Sequence, residues 1–390
     1  MTTPSGRDTR IDVVRALALL TIFIDHVPGT VFEHLTYKNF GFSDAAEAFV
    51  LISGMAVALA YGRKFEAGGR LMATVKMWRR AGVLYCSHVV ATMVTIAIFC
   101  AAAVFARHPE ILAQNNIKPL MERPAEALIG IATLGHQIGY NNILPLYAAL
   151  LLFAPLTFLL ARFRLWAAVV VSGAVWLFAG LYQIAPPNYP EPGVWFLNPL
   201  SWQFLFTIGM VSVLHVRRGG VLPVNAWLVG SALVYVVGAM AWVRSPLWGQ
   251  VTWFNLPVVI GGFDKTYLSL FRLAHILAVA YLVVAIPAVS RALRRGEDNP
   301  LAIFGKRSLP VFIAGTLLAM VAQVMKLLNP GGFIDDTLLL TTGIVAQFAL
   351  AYYLEWLHRT RQGERAKPLP APVRAEKAAL PVAAAPMGVR

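Results

Sequence analysis

Arg10-Ile11-Asp12-Val13-Val14-Arg15-Ala16-Leu17-Ala18-Leu19-Leu20-Thr21-Ile22-Phe23-Ile24-Asp25-His26-Val27-Pro28 decides how this chain is read. The stretch has the apolar density of a membrane-spanning helix, yet it carries Asp12, Arg15, Asp25 and His26. A charge at the centre of a bilayer costs about 2.5–3.5 kcal/mol even on insertion scales. Four ionisable groups on a first helix therefore point to a role. Arg15 and His26 are eleven positions apart, which is three turns plus about 20° at ~100° per residue. They are expected on one side of the helix, ~16 Å apart along its axis, as the two ends of one polar stripe.

The rest of the chain has the same character. Of 390 residues, 58% are hydrophobic and 13% charged, against about 25% charged in a soluble domain. Runs of about 17–25 apolar residues make it an all-α polytopic membrane protein with about ten transmembrane helices. They are expected at 11–28, 43–62, 82–106, 142–161, 165–184, 200–216, 223–243, 267–290, 308–328 and 336–358. The net charge of +14 then reflects topology and not nucleic acid. Of the 33 Lys and Arg, 24 fall in the two termini and in 63–81, 162–164, 217–222 and 291–307. By the positive-inside rule these are cytoplasmic, as are both termini. Residues 1–358 are expected as one transmembrane domain and 359–390, ending in Ala and Pro, as a disordered cytoplasmic tail. The first apolar run is read as a retained helix, because charges interrupt it and no signal-peptidase exit follows. Cys86 and Cys100 on one helix would sit ~21 Å apart and could not bridge. No metal site is expected.

Three constellations carry the chemistry. In the first, His26 is the candidate general base, because only His titrates near neutrality unperturbed. Asp25 and Glu47 are the candidates to orient its ring. In the second, Gly41-Phe42-Ser43-Asp44-Ala45-Ala46-Glu47 leads into Ser53-Gly54. Asp44 and Glu47 share a face at i,i+3, and the small pair permits close helix packing or leaves room for a ligand. In the third, Lys76-Met77-Trp78-Arg79-Arg80 reads as a cytoplasmic positive-inside cluster or, with Arg15 near the same membrane face, as a phosphate clamp. Arg272 and His275 point together at i,i+3, as a structural network or a site wall. Trp202, Gln203 and Asn141 stand at the external entrance. Tyr189, Trp195, Trp202, Trp242, Trp248 and Trp253 read as interface belts, Ala125 to Leu134 as an interfacial or re-entrant segment, and Asp335-Asp336 as a solvated loop.

Arg15, ten intervening residues and His26 resemble the Arg-x10-His motif of the membrane acyltransferase family 3 superfamily. Within it, several segments resemble the OpgC branch, the succinyltransferases of osmoregulated periplasmic glucans. They are Arg7-Asp8, Arg10-Ile11-Asp12, Asp25-His26-Val27-Pro28, Gly41-Phe42, Asp44-Ala45-Ala46-Glu47, Ser53-Gly54, Asn198-Pro199, Trp202-Gln203 and Ser308-Leu309-Pro310-Val311-Phe312. The likeness runs over 7–358. It implies a bacterial inner-membrane O-acyltransferase in which His26 is catalytic and Arg15 helps hold a coenzyme A thioester. It further implies that acyl-CoA, here succinyl-CoA, is a co-substrate and no cofactor is permanently bound. The acceptor would be a hydroxyl of a periplasmic glucan or other polysaccharide. On that reading His26, Glu47 and Asp25 serve catalysis. Arg15, Asp12, Lys76, Arg79, Arg80 and Ser53 serve the donor. Asp44, Arg272, His275, Trp202, Gln203 and Asn141 serve the acceptor side or support the others. A dicarboxylic acyl group needs a cation near the reaction centre, for which Arg272 is the candidate. The sequence departs from the superfamily at its cytoplasmic Arg-x-x-Arg: Lys76-x-x-Arg79 stands there instead.

Two other readings compete. A proton-coupled transporter or flippase for an envelope glycan precursor would use Arg15, His26, Glu47 and His275 as a relay. The absence of an internal repeat and of paired broken helices counts against it. A catalytically inert scaffold for glucan export would tolerate loss of His26.

Overall fold

The computed structural model describes residues 8–246, 248 and 256–366. Arg7, Trp253 and the tail beyond Ala366 lie outside the described residues. Among the described residues the regular secondary structure is all helix, apart from one isolated bridge between Pro187 and Val194. Ten long helices follow one another: α1 Arg10–Asp25, α2 Ala45–Glu66, α3 Arg70–Phe105, α4 Ile143–Phe163, α5 Leu165–Leu181, α6 Pro199–Arg217, α7 Ala226–Arg244, α8 Leu270–Ala285, α9 Ser308–Leu328 and α10 Phe333–Ala366. Each expected span corresponds to one of them, but length separates them. Seven are long and apolar enough to cross a membrane, or eight if α8 and the helix Pro287–Leu293 form one span bent by 88°. With 16 and 17 residues, α1 and α5 fall short of that length. The expected count of ten is thus not reached on length and composition.

The breaks have local causes. Pro287 has no N–H to continue α8, and it forces Ile286 into extended backbone. Downstream of α1 stand Pro28 and Gly29, the latter at φ +81°. Gly68 at φ +95° and Gly69 separate α2 from α3. From Arg70 nothing stops the helix, so α3 runs 36 residues, about 54 Å at ~1.5 Å each. The basic cluster expected as a loop is therefore helical. Similarly, α10 continues past the expected end at 358 to Ala366.

Close crossings fix the bundle. A Cβ on Gly54 would lie 2.1 Å from the Phe206 carbonyl oxygen, and one on Gly209 2.2 Å from that of Leu51. So α2 and α6 meet backbone to backbone through reciprocal glycines. Gly305, on the short helix Pro300–Lys306, lies equally tight against the Asp12 carbonyl of α1. By contrast, α7 buries Ala239 and turns Trp227 and Val234 outward, as a helix facing lipid would.

Both described chain ends lie at one end of the bundle. Thr9 donates to the Arg295 carbonyl and Arg10 to Ser290, while Glu355 of α10 holds Lys306 and Arg307. His26, as the C-terminal cap of α1, marks the opposite end.

Candidate active site

At that opposite end, segments 25–47, 115–141, 264–275 and 323–336 converge. His26 closes α1, its N–H bonding to the carbonyls of Ile22 and Phe23. Its ring stacks on Tyr140, centroids 4.4 Å apart and planes 15° from parallel. Gln323 of α9 donates from Nε2 to the His26 carbonyl at 2.6 Å and accepts from Asn115 at 2.8 Å. The Nδ1 of His26 is buried and has no hydrogen-bond partner among the described residues. A ring nitrogen held in place but unpartnered is what an incoming proton requires.

The carboxylates expected to orient this ring are engaged elsewhere. Asp25 accepts from Thr36 at 2.6 Å and pairs with Lys38 at 3.4 Å. Glu47, fully buried, completes a capping box at the start of α2: Asp44 accepts from the Ala46 N–H, and Glu47 from the Asp44 N–H. Its other oxygen takes Arg272 Nε at 2.6 Å, and a second guanidinium nitrogen reaches Asp44 at 3.1 Å. Lys265 also bonds Asp44. Burial alone would raise the Asp44 carboxyl, but Lys265 and Arg272 outweigh it and hold the group below the usual carboxylate value. Asp44, Glu47, Arg272 and Lys265 thus form one ion-pair network, of which Lys265 and Asp44 lie within electrostatic reach of His26.

His275, one turn from Arg272, joins a neighbouring knot. Its Nδ1 meets Ser43 Oγ at 2.7 Å and Tyr37 OH at 3.4 Å. A Cβ on Gly41 would strike its ring at 2.1 Å, so only glycine fits there. Trp202 is fully buried and donates to the Lys265 carbonyl at 2.9 Å, pinning that loop. Gln203 is bonded to Ser172 and to the Leu200 carbonyl. Asn141 is buried and donates to the Ile138 carbonyl.

The other end of α1 carries Arg15, bonded to Asp12 at 3.3 Å and to the Gly305 carbonyl at 3.4 Å. Across from it, Tyr147 of α4 lies within reach of Arg15 and Arg80 and beside Ser53. Of the basic cluster, Arg80 turns inward while Lys76 and Arg79 are exposed on α3. Arg80, Tyr147 and Ser308 line a narrow cavity of about 20 Å³ that Phe49, Leu84, Leu144 and Phe312 close. Both ends of the α1 stripe therefore meet the same segment, Tyr140 at one end and Tyr147 at the other.

Gln323, Lys326 and Tyr147 are not among the site candidates that the sequence offers. The first two lie at i,i+3 in an otherwise apolar helix, a signal open to the rule applied to Arg272 and His275. Asp336, expected in a solvated loop, is 3% exposed in the first turn of α10 and pairs with Lys326 at 2.6 Å. No cation adjoins the acidic pair in sequence, so nothing local marks it as buried.

A family model described as OpgC protein matches residues 7–359, most of the chain. The chain belongs to the OpgC family. No match to a curated protein or to a solved structure was found. Membership supports a glucan-modifying, acyltransferase-type role in general terms, and the seven or more apolar helices make this OpgC-family chain a multi-pass membrane protein.

Proposed function

We propose that the protein is an O-acyltransferase of the bacterial inner membrane, moving a succinyl group from cytoplasmic succinyl-CoA to hydroxyls of a periplasmic glucan. In this reading the end bearing Thr9 and Glu355 faces the cytoplasm and His26 the periplasm. The supporting observation is the arrangement along α1: Arg15 at one end, where Tyr147 lies within electrostatic reach of both Arg15 and Arg80, and His26 at the other with Nδ1 buried and, among the described residues, unpartnered.

The donor's phosphates meet Arg15 and Arg80, with Lys76 and Arg79 on the exposed face of α3 drawing the anion in. The acyl arm then passes Phe49, Leu84, Leu144 and Phe312, which must part to admit it. At His26 the acceptor hydroxyl attacks the thioester carbonyl. The C–O bond forms, the C–S bond breaks, the hydroxyl proton passes to His26 and the thiolate recovers it on leaving. General-base assistance of this kind contributes about 10²–10⁴-fold. Gln323 and Tyr140 hold the base from two sides, and the Asp44–Glu47–Arg272–Lys265 network fixes the mouth of α2 beside it. Because both carboxylates already engage Arg272, its part is to neutralise Glu47 and Asp44.

The test is mass spectrometry of periplasmic glucans from cells expressing the parent chain or His26→Ala at matched membrane levels. Acylated glucan should be present with the parent and absent with the variant. Equal acylation in both would remove His26 as the base and the reading with it.

A further inference from the structure

Beside His26 a second cavity opens, of about 550 Å³, within the range of about 300–1,000 Å³ typical of small-molecule sites. Neither pole of the α1 stripe lines it, yet three contacts tie it to His26. Tyr140, which stacks on the imidazole, forms part of its wall. Gln323, which holds the His26 carbonyl, forms another part. Pro28, two residues on from His26, lies at its rim.

Its chemistry is specific. Gln114, Asn115 and Gln323 contribute amides, Tyr140 and Phe333 contribute ring surfaces, and Asp336 contributes a carboxylate. The one cation of the lining, Lys326, is already neutralised by Asp336 at 2.6 Å and also donates to the Pro330 carbonyl. Asp336 is further fixed by the Val31 N–H at 3.4 Å. The lining is thus uncharged overall while dense in hydrogen-bonding groups. An anionic thioester would find no net attraction in it. A neutral polyol would find amides that both donate and accept, a carboxylate that accepts, and ring faces for its C–H surfaces.

Resting on the acyltransferase reading above, we propose that this cavity is the acceptor site and binds a segment of neutral saccharide chain, presenting one hydroxyl to His26 past the edge of Tyr140. Gln323 is then a positioning residue, since it touches the base through its backbone and the acceptor through the cavity wall.

The experiment is calorimetric titration of the purified full-length protein in detergent with a neutral gluco-oligosaccharide and no acyl donor. The parent chain should bind saturably. A Cβ on Gly332 meets nothing within 4 Å, so a side chain there projects into open space at the cavity wall. Gly332→Trp should lower the affinity at least tenfold. Gln114→Trp, on an exposed residue, repeats the test should the first variant fail to fold. No saturable binding by the parent, or parental affinity in the Trp variants, would overturn the proposal. Intact binding in a chain that never acylates the saccharide would sink the acyltransferase reading and leave the site standing.

Discussion

Arg272→Met is the perturbation whose cost the structure defines most sharply. Arg272 is 9% exposed and Glu47 is fully buried. Glu47 has Arg272 as its salt-bridge partner, while Asp44 keeps Lys265. Removing the guanidinium therefore strands one carboxylate in the bundle. Breaking a buried pair from one side costs about 3–5 kcal/mol. Glu47→Gln is gentler, because Gln serves equally at that position of a capping box and Arg272 retains Asp44. Its cost is about 1.5–3 kcal/mol, that of a hydrogen bond to a charged group. The double variant should recover part of the sum, since the carboxylate stranded in Arg272→Met is then absent. Denaturant titration in detergent micelles, followed by far-UV circular dichroism, measures all three. A cost below about 1 kcal/mol for Arg272→Met, or a larger one for Glu47→Gln, would refute the reasoning.

Other consequences follow from the same geometry. Gly54→Leu drives a side chain into the backbone of α6, and its membrane-inserted level should fall well below that of the parent in quantitative immunoblots. Arg15→Ala should raise the KM for acyl-CoA at least tenfold with a smaller change in kcat, read from initial rates of coenzyme A release. Gln323→Ala frees the His26 carbonyl and should lower kcat about 10–100-fold at saturating donor, whereas a merely structural role would lower only the amount of folded protein. Asp44 has a carboxyl held below its ordinary value of 3.8, so its contribution to stability is present above that pH and is lost as the pH falls through the depressed value. The stability gap between the parent and Asp44→Asn at pH 7 should accordingly shrink below about pH 4.

The helices and the ionisable residues of α1 were legible because a bilayer makes both conspicuous: apolar runs must be long, and an Arg or His within them stands out. The sequence located the basic cluster but took it for a loop, since hydropathy ends at the membrane surface while the backbone of α3 does not. It placed Asp44, Glu47 and Arg272 on two helices without joining them, because their partnership spans more than two hundred residues. The cavity beside His26 was illegible for a similar reason: Gln114, Gln323 and Asp336 come from three distant segments. Each alone reads as an ordinary polar residue. Arg272 shows the converse limit, where a residue type fitting a substrate carboxylate is taken up by the protein's own.

The most direct test of the central claim uses proteoliposomes of fixed orientation, with acyl-CoA on the side of Thr9 and Glu355 and a gluco-oligosaccharide on the other. Acylated saccharide should appear on the far side with one coenzyme A released on the near side per acyl group, and His26→Ala should abolish both. Acyl transfer only when donor and acceptor share a side, or undiminished transfer by His26→Ala, would contradict the account.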